Sequence, residues 1–191
     1  MRDLSLHVLD ILENSLRAGA RRVRVTLAAD PATDRLVFAV EDDGPGFPVP
    51  PERLLDPFFT TKADKHTGLG LSLLRDSAEA AAGRLRLGRS PDLGGALVEA
   101  TMQLRHVDRR PLGDVAATMF SVLCADPDLE LECCLASPAG TVRVATADLR
   151  PALGGAGPGF ALARAFVEPL REGLAALTAL EEQEGAWERR P

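Results

Sequence analysis

The segment AVEDDGPGF, residues 39–47, decides the fold prediction, because an apolar run passes abruptly into acidic residues, glycines and a proline. That composition indicates the end of a β-strand and a tight turn. Asp42 can accept a hydrogen bond from an exocyclic amine there, and Gly44 and Gly46 let the backbone approach a flat ring closely. A tight acidic turn without a ligand explains the segment equally well when it is considered alone.

The residues before this segment predict a helix and a β-hairpin. Apolar residues recur at helical spacing over residues 4–18, and Gly19 ends the pattern. Alternating residues predict a strand over 22–28, and a turn separates it from a second strand over 36–41. The two strands are expected to pair in antiparallel fashion.

One face of the predicted helix carries polar groups suited to metal and proton chemistry. Asp10 and Asn14 are four residues apart and share this face, with Glu13 beside them. An amide oxygen suits Mg²⁺, which prefers hard oxygen ligands. A carboxylate one turn earlier can polarise a water or hydroxyl nucleophile. The alternative is an ordinary polar helix face.

A second glycine-rich segment follows an irregular loop over residues 48–66. The triplet GLG, residues 68–70, opens a predicted helix over 71–82, where free backbone N–H groups and the helix dipole favour phosphate. Thr67 can add a hydroxyl group, and Lys62 a mobile positive charge. A simple glycine helix entry is the alternative.

Four motifs in a fixed order carry a resemblance to a known family. LENSLRAGA (12–20) resembles an N box, especially its MutL form, and DDGPGF (42–47) resembles a G1 box. PFFTTK (57–62) and HTGLGLS (66–72) resemble the F and G2 boxes of sensor histidine kinases. Over about residues 4–105 the chain thus resembles the Bergerat ATP-binding fold of histidine kinases, anti-sigma kinases, Hsp90 and MutL.

The resemblance implies Mg-ATP as the ligand and a role for each motif residue. Asn14 would coordinate Mg²⁺, and Asp42 would bind the adenine amine. Asp10, with its neighbour Glu13, is the candidate catalytic group, because Asp10 matches the glutamate base of the ATPase relatives. Aspartate is one methylene shorter, which leaves hydrolysis open. The other candidate nucleotide-binding residues are Gly44, Gly46 and Phe47 around the adenine, and Lys62, Thr67, Gly68, Leu69 and Gly70 at the phosphates.

The chain departs from the sensor kinase pattern at its start and in its histidines. The N box begins almost at Met1, so the phosphoacceptor helical hairpin of histidine kinases is expected to be absent. His7 is expected to be a structural helix residue, His66 a phosphate contact or a lid surface residue, and His106 an exposed residue. The strand that usually precedes the N box is missing, and a partner or the C-terminal segment is expected to supply it.

Two further strands, over 85–88 and 97–104, complete an α-β-β-loop-α-β-β order. This order predicts an α+β fold, a two-layer α/β sandwich with helices on one face of a mixed or antiparallel sheet. Residues 1–106 are expected to form the ATP-binding domain. Residues 107–191 are expected to form a small C-terminal α/β extension that binds a partner or dimerises.

The extension shows no recognisable family motif. A helix is predicted over 111–125, a hairpin of strands over 129–136 and 141–146, and a long helix over 161–184. Whether this segment is a separate domain or extends the first sheet is left open, and so is a homodimer.

Composition excludes several classes of function. A net charge of −6 and few aromatic residues disfavour nucleic-acid binding. No apolar run approaches the ~20 residues of a transmembrane helix, and no signal-peptide pattern is present, so a cytoplasmic protein without a membrane partner is expected. Cys124, Cys133 and Cys134 lack metal-ligand spacing and are expected to be buried free thiols.

Three functions fit these features. The first is a stand-alone kinase that transfers the γ-phosphate of ATP to a partner protein in bacterial signalling. The second is a non-enzymatic ATP or ADP sensor that signals through residues 107–191. The third is a slow ATPase switch, for which Asp10 and the MutL-like N box are the motivation.

Overall fold

The first helix, α1 (Leu4–Arg17), begins at Leu4, the first residue of the predicted helical pattern. The Asp3 carboxylate accepts a hydrogen bond from the backbone N–H of Leu6, which is the role of a helix N-cap. Leu4, Val8 and Leu12 on one face are fully buried. The computed structural model that contains this helix describes residues 2–55, 69–154 and 159–182 of the chain.

The described helices and strands follow the predicted order, with two additional short helices over 51–54 and 146–149. In chain order they are α1 (Leu4–Arg17), β1 (Arg22–Asp30), β2 (Arg35–Asp42), α2 (Pro51–Leu54), α3 (Leu69–Ala80), β3 (Arg84–Arg89), β4 (Ala96–Gln103), α4 (Val115–Ala125), β5 (Glu130–Ser137), β6 (Gly140–Ala145), α5 (Thr146–Leu149), a 3₁₀ turn (Pro151–Leu153), α6 (Gly159–Val167) and α7 (Leu170–Glu182).

A single mixed sheet contains the strands of both halves of the chain. Its strand order is β3-β4-β2-β1-β5-β6, and β1 and β2 form the predicted antiparallel hairpin. Strand β5 lies parallel to β1, with Val25 opposite Cys133, and β6 pairs antiparallel with β5. The C-terminal segment therefore extends the first sheet and supplies the strand beside β1.

The helices cover one face of this sheet. Along β1, Val23 and Val25 are buried, whereas Arg22 and Arg24 alternate with them on the opposite, open face. Helix α1 packs on β2, α3 on β3 and β4, and α7 on β5 and β6, while α4 lies between α1 and α6. The expected two-layer α+β architecture is confirmed.

Helix α3 lies two residues earlier than predicted, and two C-terminal helices differ more from their predicted bounds. The helix expected from residue 111 begins at Val115, because Gly113 adopts a left-handed φ of +70° and Asp114 caps the helix. The long helix over 161–184 is wrong. Pro169 lacks a backbone N–H and clashes with the preceding turn, so α6 ends at Val167 and α7 begins at Leu170.

The cysteines are all free, but they differ in exposure. Cys133 points into the core, where burial raises the pKa of its thiol to about 12. Cys134 is half-buried on the opposite face of β5, and Cys124 is exposed on α4. The expectation of buried thiols is therefore confirmed for Cys133, wrong for Cys124 and only partly met by Cys134.

Candidate functional site

Asp42 is the buried polar group at the end of β2. Its side chain is 5% exposed, and its Oδ2 accepts a hydrogen bond of 2.6 Å from the Ser15 hydroxyl on α1. Its Oδ1 accepts from the backbone N–H groups of Gly44 at 3.0 Å and Ala96 at 2.9 Å. The carboxylate is thus fixed from three directions, by α1, by the turn after β2 and by β4.

Gly44 and Gly95 lie against this carboxylate, where a side chain would be crowded. A Cβ on Gly44 would lie 3.2 Å from Asp42 Oδ1, and one on Gly95 would collide with Asp42 itself. Gly46 has a φ of +80°, a conformation that side-chain-bearing residues rarely adopt. Phe47 is partly buried and packs against the core.

Sequence reasoning gave no role to three residues at this end of the site, namely Ser15, Gly95 and Ala96. Ser15 follows Asn14 in the N-box motif, and Gly95 belongs to a glycine pair that joins β3 to β4. The glycine pair was the available signal, but only tertiary structure shows that the turn folds back onto Asp42.

The polar face of α1 meets the first turn of α3. The Nδ2 of Asn14 donates a hydrogen bond of 3.2 Å to Asp10 Oδ2, and the Asp10 carboxylate lies so close to Gly70 that a Cβ there would collide with it. The structure therefore brings Asp10, Asn14 and Gly70 together.

The side-chain amide of Asn14 presents an oxygen atom that suits a magnesium ion. Its amide nitrogen is engaged by Asp10, and within the described residues its Oδ1 accepts no hydrogen bond. Mg²⁺ commonly takes one or two protein oxygens and completes its shell with water and substrate phosphates. The residues present thus fit a magnesium ion held by Asn14 and by the phosphates of a nucleotide.

Glu13 lies apart from this arrangement. Its side chain is 54% exposed and forms an ion pair of 3.2 Å with Arg17, one turn later on α1. Such an exposed i, i+4 pair is typical of a solvated helix face. The catalytic role of Glu13 therefore stays a prediction without a geometric argument in its favour.

Several predicted phosphate-binding residues fall outside the part of the chain that the structure describes. These are Lys62, His66, Thr67 and Gly68, together with the side chain of Leu69.

His7 is a buried residue of α1, as expected for a structural role. It is 1% exposed, and neither ring nitrogen has a hydrogen-bond partner within the described residues. The pKa of His7 is lowered from 6.5 to about 4, with burial as the largest cause. The positive charges of the α-amino group and Arg110 contribute to this lowering, and Asp3 opposes it. His106 lies after β4 and is half-buried rather than exposed, and its Nδ1 accepts a hydrogen bond from the Asp108 N–H.

The fold and the site together define a class of protein. Helix α1 meets a glycine-opened helix beside Asp10 and a buried strand-end aspartate beside Ser15, which is the arrangement of an ATP-binding domain. The chain belongs to the histidine kinase-, DNA gyrase B-, and HSP90-like ATPase family, whose model matches residues 2–106.

Relatives in this family include both kinases and repair proteins. The sensor protein kinase PilS of Pseudomonas aeruginosa is 39% identical over 45% of this chain and 17% of its own length. The DNA mismatch repair protein MutL of Thermus thermophilus is 40% identical over 60% of this chain and 21% of its own length. The chain therefore spans about a fifth of these relatives.

Among solved structures, the mycobacterial sensor histidine kinase MprB is similar at 26% identity and a TM-score of 0.39, over 50% of this chain and 66% of that one.

Of the helices within the described ranges, none is long and apolar enough to cross a membrane.

Proposed function

We propose that the chain binds Mg-ATP at this site and transfers the γ-phosphoryl group to a side chain of a partner protein. The products of that step are ADP and the phosphorylated partner. Asp42 would accept a hydrogen bond from the adenine amine, and Asn14 would hold Mg²⁺ against the phosphates.

The fixed geometry of Asp42 is the observation that carries ATP binding. An amine on a flat ring needs an acceptor that does not turn away, and three hydrogen bonds hold this carboxylate in place. Gly44 and Gly95 let the backbone pack closely against this carboxylate, because a Cβ on either one would be crowded by Asp42.

Phosphoryl transfer is favoured over hydrolysis by the relatives with which the chain aligns. Several of them, including PilS, CarS and ZraS, are named as sensor kinases, and each aligns over 42–52% of this chain. The chain spans only about a fifth of the length of each of these relatives. Transfer to a partner is therefore proposed from the family resemblance of this site.

A slow ATPase switch is the second candidate, and the position of Asp10 favours it. The Asp10 carboxylate lies between Asn14 and the first turn of α3, where it could orient a water molecule towards a terminal phosphate. The MutL alignment, which covers 60% of the chain, is consistent with this activity.

The test follows γ-labelled ATP with the purified chain and Mg²⁺, with and without a native lysate. Asn14→Ala removes the proposed metal ligand. Gln103→Ala is the matched control, because it also removes an amide but from the exposed end of β4. Adenosine binding by Asn14→Ala confirms that the adenine end is intact.

The destination of the label separates the candidates. Label on a protein in the parent and in Gln103→Ala, but not in Asn14→Ala, supports the kinase, and free phosphate with the same dependence supports the ATPase. Intact ATP together with tight binding contradicts both and favours the nucleotide sensor. Failure of the parent to bind ATP refutes the proposal.

A further inference from the structure

A chain of ion pairs crosses the open face of the sheet at its centre. Arg24 on β1 contacts Glu132 on β5 at 2.7 Å, Asp92 in the β3–β4 turn at 2.6 Å and Glu41 on β2 at 3.7 Å. The side chains of Arg24, Glu132 and Glu41 are 29%, 20% and 18% exposed. Arg24 therefore joins three separate elements through one partly buried guanidinium.

The chain of pairs continues into the C-terminal segment. Arg143 on β6 contacts Glu132 at 2.6 Å and Asp148 on α5 at 2.8 Å. Burial alone would raise the pKa of Glu132, but hydrogen bonds from Arg143 and Arg24 hold that pKa below its usual value. Glu132 is thus shared between the C-terminal hairpin and Arg24.

At its other end, this series of ion pairs reaches the turn that holds Asp42. Asp92 lies in this turn, residues 90–95, and Ser90 closes it by accepting a hydrogen bond from the Leu93 N–H and donating one to Glu41. The turn then presents the N–H of Gly95 to the Asp42 carbonyl at 2.9 Å. The next residue, Ala96, donates to the Asp42 carboxylate.

We propose that Arg24 is a positioning residue for the adenine end of the site, through which strands β5 and β6 set the affinity for nucleotide. Arg24 holds the turn at 90–95, and the turn orients the Asp42 carboxylate. Glu132 and Arg143 in turn hold the guanidinium. The inference rests on the proposed function, because it concerns the same Asp42.

An isolated ion pair on the surface contributes little to stability. Arg24 differs from such a pair, because its rigid guanidinium binds Asp92 and Glu132 at the same time and in one geometry. The hydrogen bond to Asp92 and the contacts with Glu132 also raise the pKa of Arg24, so it stays charged. Removal of Glu132 frees the guanidinium to rotate, and the turn loses its anchor.

The experiment measures the Kd of the full chain for ATP and for adenosine by titration calorimetry, at a temperature where circular dichroism shows every variant folded. Glu132→Gln removes the shared carboxylate. Glu99→Gln is the matched control, because Glu99 lies on the same open face and pairs with Arg86, outside this network. Asp92→Asn, in a turn where the side chain is 60% exposed, tests the other end without risk to the fold.

We expect Glu132→Gln and Asp92→Asn each to raise the Kd roughly fivefold, the lower end of usual couplings between sites, and Glu99→Gln to leave it unchanged. Adenosine should show the same factor as ATP, because the effect lies at the adenine end. The double variant should be less than additive, since both carboxylates act through Arg24. Arg24→Lys should restore part of the affinity that Arg24→Gln loses.

Equal Kd values for Glu132→Gln and Glu99→Gln, in a parent that binds ATP, would overturn the inference and leave the proposed function standing. An effect on ATP without one on adenosine would overturn it as well, because the phosphate end would then be responsible. A parent that binds neither ligand overturns the proposed function and this inference together.

Discussion

Replacement of His7 by leucine should remove part of the acid sensitivity of this fold. His7 is 1% exposed on α1, and neither of its ring nitrogens has a partner within the described residues. The folded protein therefore resists the protonation that the unfolded chain accepts freely. Leucine fills a similar volume without a titratable group, and no described hydrogen bond is lost.

The size of the effect follows from the pKa of His7, which burial lowers from 6.5 to about 4. Above pH 6.5 the imidazole is neutral in both states, so it adds no pH dependence. Below that pH the unfolded chain binds the proton first, and stability falls by about 1.4 kcal/mol per pH unit. The loss reaches about 2 kcal/mol at pH 5 and about 3 kcal/mol once the pH passes the folded pKa near 4.

Urea unfolding followed by circular dichroism at pH 7.5, 6.5 and 5.0 measures this loss. Other carboxylates also titrate towards pH 5, so the informative quantity is the difference between parent and His7→Leu. Ser77→Ala is the matched control, because the Ser77 hydroxyl is also buried without a partner in the described chain but does not titrate. Relative to the parent, Ser77→Ala should raise the free energy of unfolding by the same amount at all three pH values.

An equal loss of stability in the parent and in His7→Leu between pH 6.5 and 5.0 would refute this reasoning. A His7 imidazole resonance that titrates near pH 6.5 in the folded protein would refute it as well.

Three further substitutions probe the site and the C-terminal segment. Ser15→Ala removes a charge-assisted bond to Asp42, so it should cost about 1–3 kcal/mol in urea unfolding and weaken adenosine binding about tenfold; unchanged binding would contradict the role given to Asp42. Gly70→Ala should displace the Asp10 carboxylate, so turnover of labelled ATP should fall while adenosine binding persists; normal turnover would remove Asp10 from the catalytic arrangement. Thr146→Val leaves the buried N–H of Leu131 unpaired and should cost about 1–3 kcal/mol, measured by urea unfolding, whereas exposed Thr141→Val should cost little.

The local parts of this structure were predictable because each depends on residues close in sequence. The spacing of Asp10 and Asn14 on one helical face requires only the helical period, and the strand end before Asp42 requires only composition. The break at Pro169 was available from the same rules and was missed, because the apolar pattern continues across it. The catalytic role of Glu13 stays a prediction, because its side chain forms an exposed ion pair with Arg17 and no described contact joins it to the site.

The contacts that complete the site were not predictable, because they join residues far apart in the chain. Ser15 and Asp42 are separated by 27 residues, and Asp42 and Ala96 by 54. Only the strand order places β4 beside β2 and so carries the turn at 90–95 to Asp42. The attachment of β5 to β1 follows the same logic, since no pattern in either strand specifies its neighbour.

The C-terminal segment bonds to the backbone at the start of α1 and to the residues that follow this helix. At the start of the helix, the N–H groups of Leu4 and Ser5 bond to the carbonyls of Pro111 and Leu112 at 2.9 Å each. Such first-turn donors have no partner inside a helix and need one from elsewhere.

Beyond the other end of α1, the N–H of Glu130 bonds to the Arg21 carbonyl, two positions before Val23, which lies opposite Asp42 in the sheet. Any partner that shifts the C-terminal segment would therefore also displace the helix that carries Asp10, Asn14 and Ser15. Removing the segment would leave the N–H groups of Leu4 and Ser5 without their acceptors and the edge of β1 unpaired, so experiments on the nucleotide site require the full chain.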